Sequence, residues 1–565
     1  MANGKMTKNY SDIAESYAQS IIDARIPASK WVKLSCQRQL DDLKKKNGGY
    51  FFEPERVNSI CSFIEKLPHI KGEWAKNNGS LVLQPWQTFI LATVFGWVRS
   101  DGRRRFKTAY IEIPRKNGKS TLSAAVGLYM LSKDGEPGAQ VYSAAVTRDQ
   151  AKIVFEDAQA MAKREEGFRK RYGIQVNAHN INILEKASKF EALSAEANSL
   201  DGLNIHCAIE DELHAHKTRA VFDVLETSMG SRTQPLHWLI TTAGSNRSGI
   251  CYEQHSYLKK ILEKVAEDES YFGIIYGLDD GDDWRLESNW RKANPNYEIS
   301  IYPEDFKRLA GKAQEMASAQ NAFLTKRLNV WVNADTSWMD MLKWDKCRDE
   351  RLKLADFETE NCWIGIDLAS KLDIASVCIL FKHGADYYAF LRHYLPEDNV
   401  KSEAHAKSAH CQGWAIQGWL TLTPGNMIDL DFIEEDLRGL LGRFDVNVLA
   451  FDPWQAAQMQ ARLLADNAPV ATVSPNVQNF SDPMKTLEGL VLAAKFHTND
   501  DPIITWMISN VVCHRDAKDN IYPRKETPEN KIDGVVALLT ALNRALADDG
   551  GSSRSIYEER GLEFV

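Results

Sequence analysis

The sequence predicts an α/β fold in two successive units, and three observations predict it. Residues 81–245 alternate strand-like and helix-like segments, the rhythm of a parallel sheet covered on both faces. The stretch Tyr110-Ile-Glu-Ile-Pro-Arg-Lys-Asn-Gly-Lys-Ser-Thr121 reads as a strand, a tight polar loop and a helix, the layout of a phosphate-binding loop. A second strand-and-helix unit begins near Cys362 and is closed by an apolar helix at 533–547.

The totals are consistent with this. At 565 residues the chain exceeds a single core, and length alone suggests roughly three or four domains. The net charge of −8 makes no global case for nucleic acid, although a motor can carry a local basic channel on an acidic body. The N-terminus has no apolar core of a signal peptide and no run is long enough to span a bilayer. The expectation is a cytoplasmic protein with no membrane contact. The nine cysteines are scattered, without CxxC or metal-ligand spacing, and read as reduced, mostly buried thiols.

Taken in order, residues 1–70 read as a helical N-terminal region, with Tyr10, Ile13, Tyr17 and Ile21, then Trp31, Leu34 and Leu40, at helical spacing. Lys44-Lys45-Lys46 reads as a solvated helix end, with DNA or partner contact as the alternative. Residues 51–70 read as a further amphipathic helix ended by Pro68. Residues 71–245 are the expected nucleotide-binding core, with strands at 107–113, 139–145, 181–184, 190–194, 204–210 and 236–242. Residues 246–335 lose that rhythm and read as a lid or linker, and 336–355 as a connector. Residues 356–547 hold the second unit, with strands at 362–368, 374–381, 386–393 and 447–451. The tail 548–565 has the composition of a flexible linker.

The first loop defines one candidate site. In such loops backbone N–H groups and the helix N-terminus hold phosphate oxygens. The Lys reaches the β/γ-phosphates and the hydroxyl after it binds Mg²⁺. Lys116, Asn117, Gly118, Lys119, Ser120 and Thr121 are therefore candidate ATP contacts, though Ile113 stands where the usual pattern has its first Gly. Strand 204–210 leads into Asp211-Glu212-Leu-His214. There Asp211 would order a Mg²⁺ shell and Glu212 would orient or deprotonate the attacking water; a plain helix N-cap is the alternative. Strand 236–242 ends in Thr241-Thr242-Ala-Gly-Ser245, whose hydroxyls can sense a γ-phosphate or simply make a turn. Upstream, Gln87 can read the adenine edge and Trp86 can wall the base, or both can belong to an ordinary helix start.

The second unit offers another. Asp367 and Asp452 fall at strand ends and Asp533 at a helix start. That is the layout of an RNase H-like nuclease, where two Mg²⁺ or Mn²⁺ ions activate water and stabilise the leaving 3′ oxygen. Singly, each Asp reads first as the plainer alternative, a turn residue for Asp367 and Asp452 and an N-cap for Asp533; together in one unit they read as a metal site. Asp373 reads as a turn residue, with a place in the metal site as the alternative, and Lys531 as a phosphate contact or a solvated lysine. His405 and His410 beside Cys411 lack a completed zinc ligand set and read as a surface helix. His214 and His216 read as shaping their loop.

Pro114-Arg-Lys-Asn-Gly-Lys-Ser120, Asp211-Glu-Leu-His214, Thr241-Thr-Ala-Gly244, Gly365-Ile-Asp-Leu368, Phe451-Asp-Pro-Trp454 and Lys531-Ile-Asp-Gly-Val535 together resemble the large terminase subunit of tailed bacteriophages, over about residues 50–547. The resemblance implies an N-terminal P-loop ATPase with a parallel sheet, followed by an RNase H-like nuclease domain. It implies a motor that pumps double-stranded DNA into procapsids by ATP hydrolysis and cuts concatemeric DNA. It implies Lys119 and Ser120 for ATP and Mg²⁺, Glu212 as catalytic base, and Asp367, Asp452 and Asp533 as ligands of two divalent ions. Arg115 matches an Arg in this family's unusual loop, and Glu210 stands where an apolar residue is usual, which leaves the burial of that strand open. The implied partners are DNA, the portal protein of the procapsid, a small terminase subunit and further copies of this chain, a pentamer when docked, with a monomer in solution left open. The implied location is the host cytoplasm and, transiently, the portal vertex. An arginine finger from a neighbouring subunit is expected, with Arg148, Arg219, Arg232 and Arg247 as equal candidates. The rival readings are a helicase or remodeller whose C-terminal domain binds without cutting, and a prophage relic with a structural role.

Overall fold

The computed structural model describes residues 8–549 apart from 46–48, 77–78, 194–201, 217, 248, 333–337, 369–372, 402–407, 454–456, 517 and 527–529. Lys46, His405, Trp454 and the tail from 550 therefore lie outside the described residues. The chain divides into two compact units, residues 1–315 with 322–332, and residues 316–321 with 333–565.

In the first unit, β1 (Tyr50–Phe52) pairs antiparallel with β2 (Trp97–Arg99). Pro54 then opens helix Pro54–Ile64, a position where its missing N–H costs nothing. The expected helix from 51 is thus shorter and preceded by a strand. The main sheet comprises β3 (Thr108–Glu112), β4 (Gln140–Ala144), β5 (Ile174–Val176), β6 (Asn180–Ile183), β7 (Ser188–Ala192), β8 (Cys207–Asp211), β9 (Leu236–Thr241) and β10 (Tyr271–Ile275). Its order is β10-β3-β9-β8-β4-β7-β6-β5. Neighbours from β10 to β7 are parallel and the last two pairings antiparallel. β8, β9 and β10 are buried at every residue, as strands covered on both faces must be. The parallel register places Glu112 beside Thr241 and Asp211 beside Ile240, all at the C-terminal edge. That edge is where open α/β sheets bind ligands. β10 comes from the segment expected to be lid. Its five apolar-to-small residues sit between polar turns, which masks the strand in a rhythm count.

The second unit has a seven-stranded sheet: β11 (Asn361–Asp367), β12 (Ala375–His383), β13 (Asp386–Pro396), β14 (Leu420–Thr423), β15 (Asp445–Phe451), β16 (Val470–Thr472) and β17 (Phe496–Thr498). Its order is β14-β13-β12-β11-β15-β16, with β17 beside β13. β11 runs antiparallel to β12 and parallel to β15. A separate hairpin joins β18 (Val511–Arg515) to β19 (Ile521–Lys525). Side chains alternate along a strand, so Trp363, Gly365 and Asp367 share one face of β11. Helix Asp533–Asp549 lies along that face. Trp363 Nε1 donates to Asp548 Oδ2 at 2.5 Å, near the end of the helix. Mid-helix, a Cβ on Gly365 would stand 2.1 Å from the Ala537 carbonyl oxygen and 2.5 Å from the Ala541 nitrogen. Only glycine admits the helix there, and this seating brings Asp533, the first residue of the helix, toward Asp367.

Candidate active sites

The loop after β3 needs left-handed backbone at Gly118, which caps helix Lys119–Ser132 with φ +82°; glycine adopts it without strain. Asn117 is fully buried. Its Nδ2 donates to the Pro114 carbonyl and to Asn294 Oδ1, each at 3.1 Å, and its Oδ1 accepts the Asn296 N–H at 3.1 Å. Asn296 Oδ1 accepts the Trp86 indole N–H at 2.8 Å. The Asn117 side chain and Trp86 therefore tie residues 294–296 to the loop, which corrects the expectation that Trp86 walls the base. Neither lines the cleft of about 570 Å³ that opens over Gly118, Lys119, Ser120 and Thr121. Gln87 does line it. Its Oε1 accepts the Gln84 N–H at 2.9 Å in a capping box, and its Nε2 would lie 3.8 Å from a Cβ on Gly118. The cleft rim carries Trp74 and Tyr302, both exposed.

Lys119 is buried; its Nζ donates to the Ile113 carbonyl at 3.4 Å and lies 3.7 Å from Glu212 Oε1. Burial pushes its ammonium below its usual pKa. Ser120 Oγ donates to Asp211 Oδ2 at 3.5 Å. Burial, then the neighbouring Glu212, push the Asp211 carboxyl up to about 6. A hydroxyl and a carboxylate short of positive charge, from a helix start and a strand end, form an oxygen pair that fits Mg²⁺. Glu212 sits in left-handed backbone at φ +53°. Burial alone would raise its carboxyl, but the His214 hydrogen bond and the Lys119 and Arg115 charges hold it at about 2. Arg115 Nε is 3.9 Å from Glu212 Oε1. The Thr242 hydroxyl meets His214 Nδ1 at 3.3 Å.

Glu210 turns out fully buried with the rest of β8. His237 Nε2 hydrogen-bonds its Oε2 at 3.0 Å, and His216 Nδ1 lies 3.5 Å from its Oε1. Paired polar burial is tolerated where an isolated carboxylate is not, so the open point about this strand is closed, and His216 supports the strand.

In the second unit the parallel register sets Ile366 beside Phe451, so Asp367 and Asp452 leave the sheet at the same edge. Burial, then Asp533 and Asp452, push the Asp367 carboxyl well above the usual range, and Lys525 on β19 opposes them. Burial and Asp373 raise Asp533, whose Oδ2 is buried with no hydrogen-bond partner. Among the described residues no group of three or more His, Cys, Asp or Glu side chains is arranged to hold a metal ion. The mutual repulsion and the orphaned Asp533 oxygen are nonetheless what divalent cations would relieve, and an all-carboxylate set suits Mg²⁺ or Mn²⁺. Lys531 is buried and pairs with Asp373, so it is neither a solvated lysine nor free for phosphate. Lys525 escaped sequence reasoning because an exposed lysine on a short hairpin carries no signal. Asn294 and Asn296 left only the turn signal of the proline between them.

The fold defines a class: a nucleotide-hydrolysing parallel sheet followed by an RNase H-like nuclease unit. The family model described as terminase large subunit, ATPase domain, matches residues 85–260, and that of the endonuclease domain matches residues 265–549. The chain belongs to the terminase large subunit family. It is 37% identical to protein YmfN of Escherichia coli K12 over 61% of this chain and 78% of that protein. It is 25% identical to the large terminase subunit of Enterobacteria phage HK97 over 88% of this chain and 97% of that one. The crystal structure of the HK97 bacteriophage large terminase aligns at 24% identity and a TM-score of 0.43, covering 87% of this chain and all of that one. The chain is an ATPase and endonuclease of viral DNA packaging, and the helicase reading is not favoured. No described helix is long and apolar enough to cross a membrane.

Proposed function

We propose that Lys119, Ser120, Asp211 and Glu212 carry ATP hydrolysis, and that Asp367, Asp452 and Asp533 carry DNA cleavage. The observation that supports the first assignment is the buried Lys119 ammonium 3.7 Å from the Glu212 carboxylate at the C-terminal sheet edge. Lys119 neutralises charge on the β/γ-phosphates, and Arg115 assists from the loop. The backbone from Lys116 to Thr121 cradles the phosphates, Asn117 included, although its side chain faces away. Glu212 orients the attacking water. Ser120 and Asp211 would hold Mg²⁺, which supplies charge neutralisation on the phosphoryl oxygens. Gln87 reads the adenine edge, with Trp74 or Tyr302 taking the stacking role first expected of Trp86. In the second unit the three carboxylates would hold two divalent ions, which supply activation of water and stabilisation of the leaving 3′ oxygen. Lys525 faces a backbone phosphate.

The structure also favours one arginine finger. Arg219 pairs with Asp223 and Glu253. Arg232 is bound to Glu136 and to the carbonyls of Pro137, Gly138 and Asn204. Arg247 donates to the Trp331 carbonyl. Arg148 opens helix Arg148–Arg164 exposed, with no hydrogen bond or ion pair among the described residues, and is our choice. The partners are double-stranded DNA, a portal protein, a small terminase subunit and further copies of the chain in a pentameric ring, in the host cytoplasm.

The test uses purified full-length protein. Lys119→Ala should abolish ATP hydrolysis and leave Mn²⁺-dependent plasmid nicking. Asp367→Ala should do the reverse. Hydrolysis surviving in the first variant, or nicking in the second, would overturn the assignment.

A further inference from the structure

The Thr241-Thr242-Ala243-Gly244 turn after β9 is built as a seat for one imidazole. The His214 backbone N–H donates to Thr241 Oγ1 at 3.0 Å. His214 Nδ1 lies 3.2 Å from Thr241 Oγ1 and 3.3 Å from Thr242 Oγ1. A Cβ on Gly244 would stand 3.1 Å from His214 Cβ and 3.3 Å from its Cδ2. The glycine thus clears the space in which the ring lies. The seat is itself pinned. Asn329 Oδ1 accepts the Ala243 N–H at 2.6 Å, and Asn329 Nδ2 donates to Glu112 Oε1 at 3.1 Å and to the Tyr276 carbonyl at 2.7 Å. The turn is therefore anchored to the strand that leads into the phosphate loop.

The same Nδ1 lies 3.2 Å from Glu212 Oε2. The chemistry of the partners fixes which atom carries the proton. A carboxylate only accepts. The Thr241 hydroxyl donates its proton to the Thr242 carbonyl at 3.0 Å and already accepts the His214 backbone N–H and the Cys251 thiol, so toward the ring it can only accept. Nδ1 must then carry the hydrogen, and the threonine hydroxyls compete for it with Glu212 Oε2, a buried oxygen that has no hydrogen bond of its own. One N–H cannot serve all of them at full strength, so any shift of the turn changes the hold on Glu212. Glu212 needs such a hold, because its left-handed backbone persists only where surrounding contacts over-determine it. Its other side-chain partners, Lys119 and Arg115, are cations that a triphosphate would draw away. His214 belongs to neither the phosphate loop nor the acidic pair.

We propose that His214 is a positioning residue of the ATPase, holding the Glu212 carboxylate through Nδ1–H and tying its placement to the Thr241–Gly244 turn. This rests on Glu212 being the catalytic base. The turn then acts on the water-orienting carboxylate through the ring.

The experiment compares steady-state ATP hydrolysis by full-length variants, with the thermal melt of each variant as a check on folding of the first unit. His214→Ala should lower kcat by up to about a hundredfold, the usual cost of a misplaced catalytic group, with KM for ATP changed less than about threefold. His214→Asn, whose amide can put a donor near the Nδ1 position, should recover a large part of kcat, and His214→Leu should not. Gly244→Ala, which crowds the ring, should mimic His214→Ala and add little to it. A kcat for His214→Ala within about twofold of wild type, equal activity of the Asn and Leu variants, or a loss confined to KM would overturn the proposal. Glu212→Gln separates the two readings. If it still hydrolyses ATP, the base assignment fails. If it is inactive while His214→Ala is unimpaired, only the positioning role fails.

Discussion

Gly365 and Ala537 approach so closely that no side chain fits between them: a Cβ on Gly365 would fall 2.1 Å from the Ala537 carbonyl oxygen. The neighbour is helix backbone, which cannot rotate aside. Two residues on, along the same face of β11, stands Asp367; four residues before Ala537 stands Asp533. The glycine therefore sets the separation of two carboxylates proposed for DNA cleavage without touching either. Gly365→Ala should lift the helix, cost about 1–3 kcal/mol as overpacking does, and lower nicking by up to about a hundredfold through misplacement. ATP hydrolysis by the first unit should persist. Both activities measured on one preparation check this, and unchanged nicking would refute the spacing role.

Much of this was legible in the sequence. The candidate site residues Asp211, Thr242, Asp367 and Asp452 fall at strand ends, and strand ends are marked by a change in periodicity. Partners that come from far along the chain left no such mark. Asn294 and Asn296 reach the phosphate loop across nearly 180 residues, and nothing local to Asn-Pro-Asn says where its amides go. Glu210 leaves the burial of its strand open because its hydrogen-bond partner, His237, is supplied by another strand. Trp86 can wall the base or belong to an ordinary helix start; in the fold its buried N–H finds an acceptor in Asn296, as buried Trp usually must.

Asn117 offers a second test, since its side chain acts as a latch. Asn117→Ala would strand the buried Asn294 amide oxygen and the Asn296 N–H, at about 1–3 kcal/mol for an unsatisfied buried group. Asn294→Ala should cost a similar amount, and the double variant should cost less than the sum, because the pair shares one network. Thermal melts of the three variants decide it. Additive losses would mean that the two amides act independently.

Asp367 tests the electrostatics of the nuclease corner. Burial and two neighbouring carboxylates raise its pKa, so the folded unit holds the proton more tightly than the unfolded chain does. Stability from this group is then full at low pH and is lost as pH rises through the raised value. At neutral pH in EDTA, Asp367→Asn should be more stable than wild type by roughly 1 kcal/mol, or about 2–4 °C for a unit of this size. Mn²⁺ should raise the melting temperature of wild type and leave the variant nearly unmoved. A variant that melts below wild type in EDTA would show that the three carboxylates do not repel.

Asp134 has the opposite sign. Its Oδ1 accepts Arg104 Nη1–H at 2.9 Å, and its Oδ2 accepts Nη2–H at 3.2 Å, with His206 Nε2 at 2.9 Å, and all three residues are almost fully buried. Burial opposes ionisation, but the Arg104 charge and the two hydrogen-bond partners hold the carboxyl well below the usual range. Its contribution is present above the unfolded value of about 3.9 and is lost as pH falls toward the folded one. Arg104 precedes β3, His206 precedes β8, and Asp134 follows helix Lys119–Ser132, so the clamp lies at the sheet edge opposite the ATP site. Asp134→Asn should cost about 3–5 kcal/mol, as breaking a buried pair does, and should flatten the fall in stability between about pH 5 and pH 3. At neutral pH the kcat of the folded fraction should stay close to wild type, because the clamp touches no ATP-site residue. Urea melts across that pH range check the sign, and an unchanged acid slope in the variant would assign the acid sensitivity to another carboxylate.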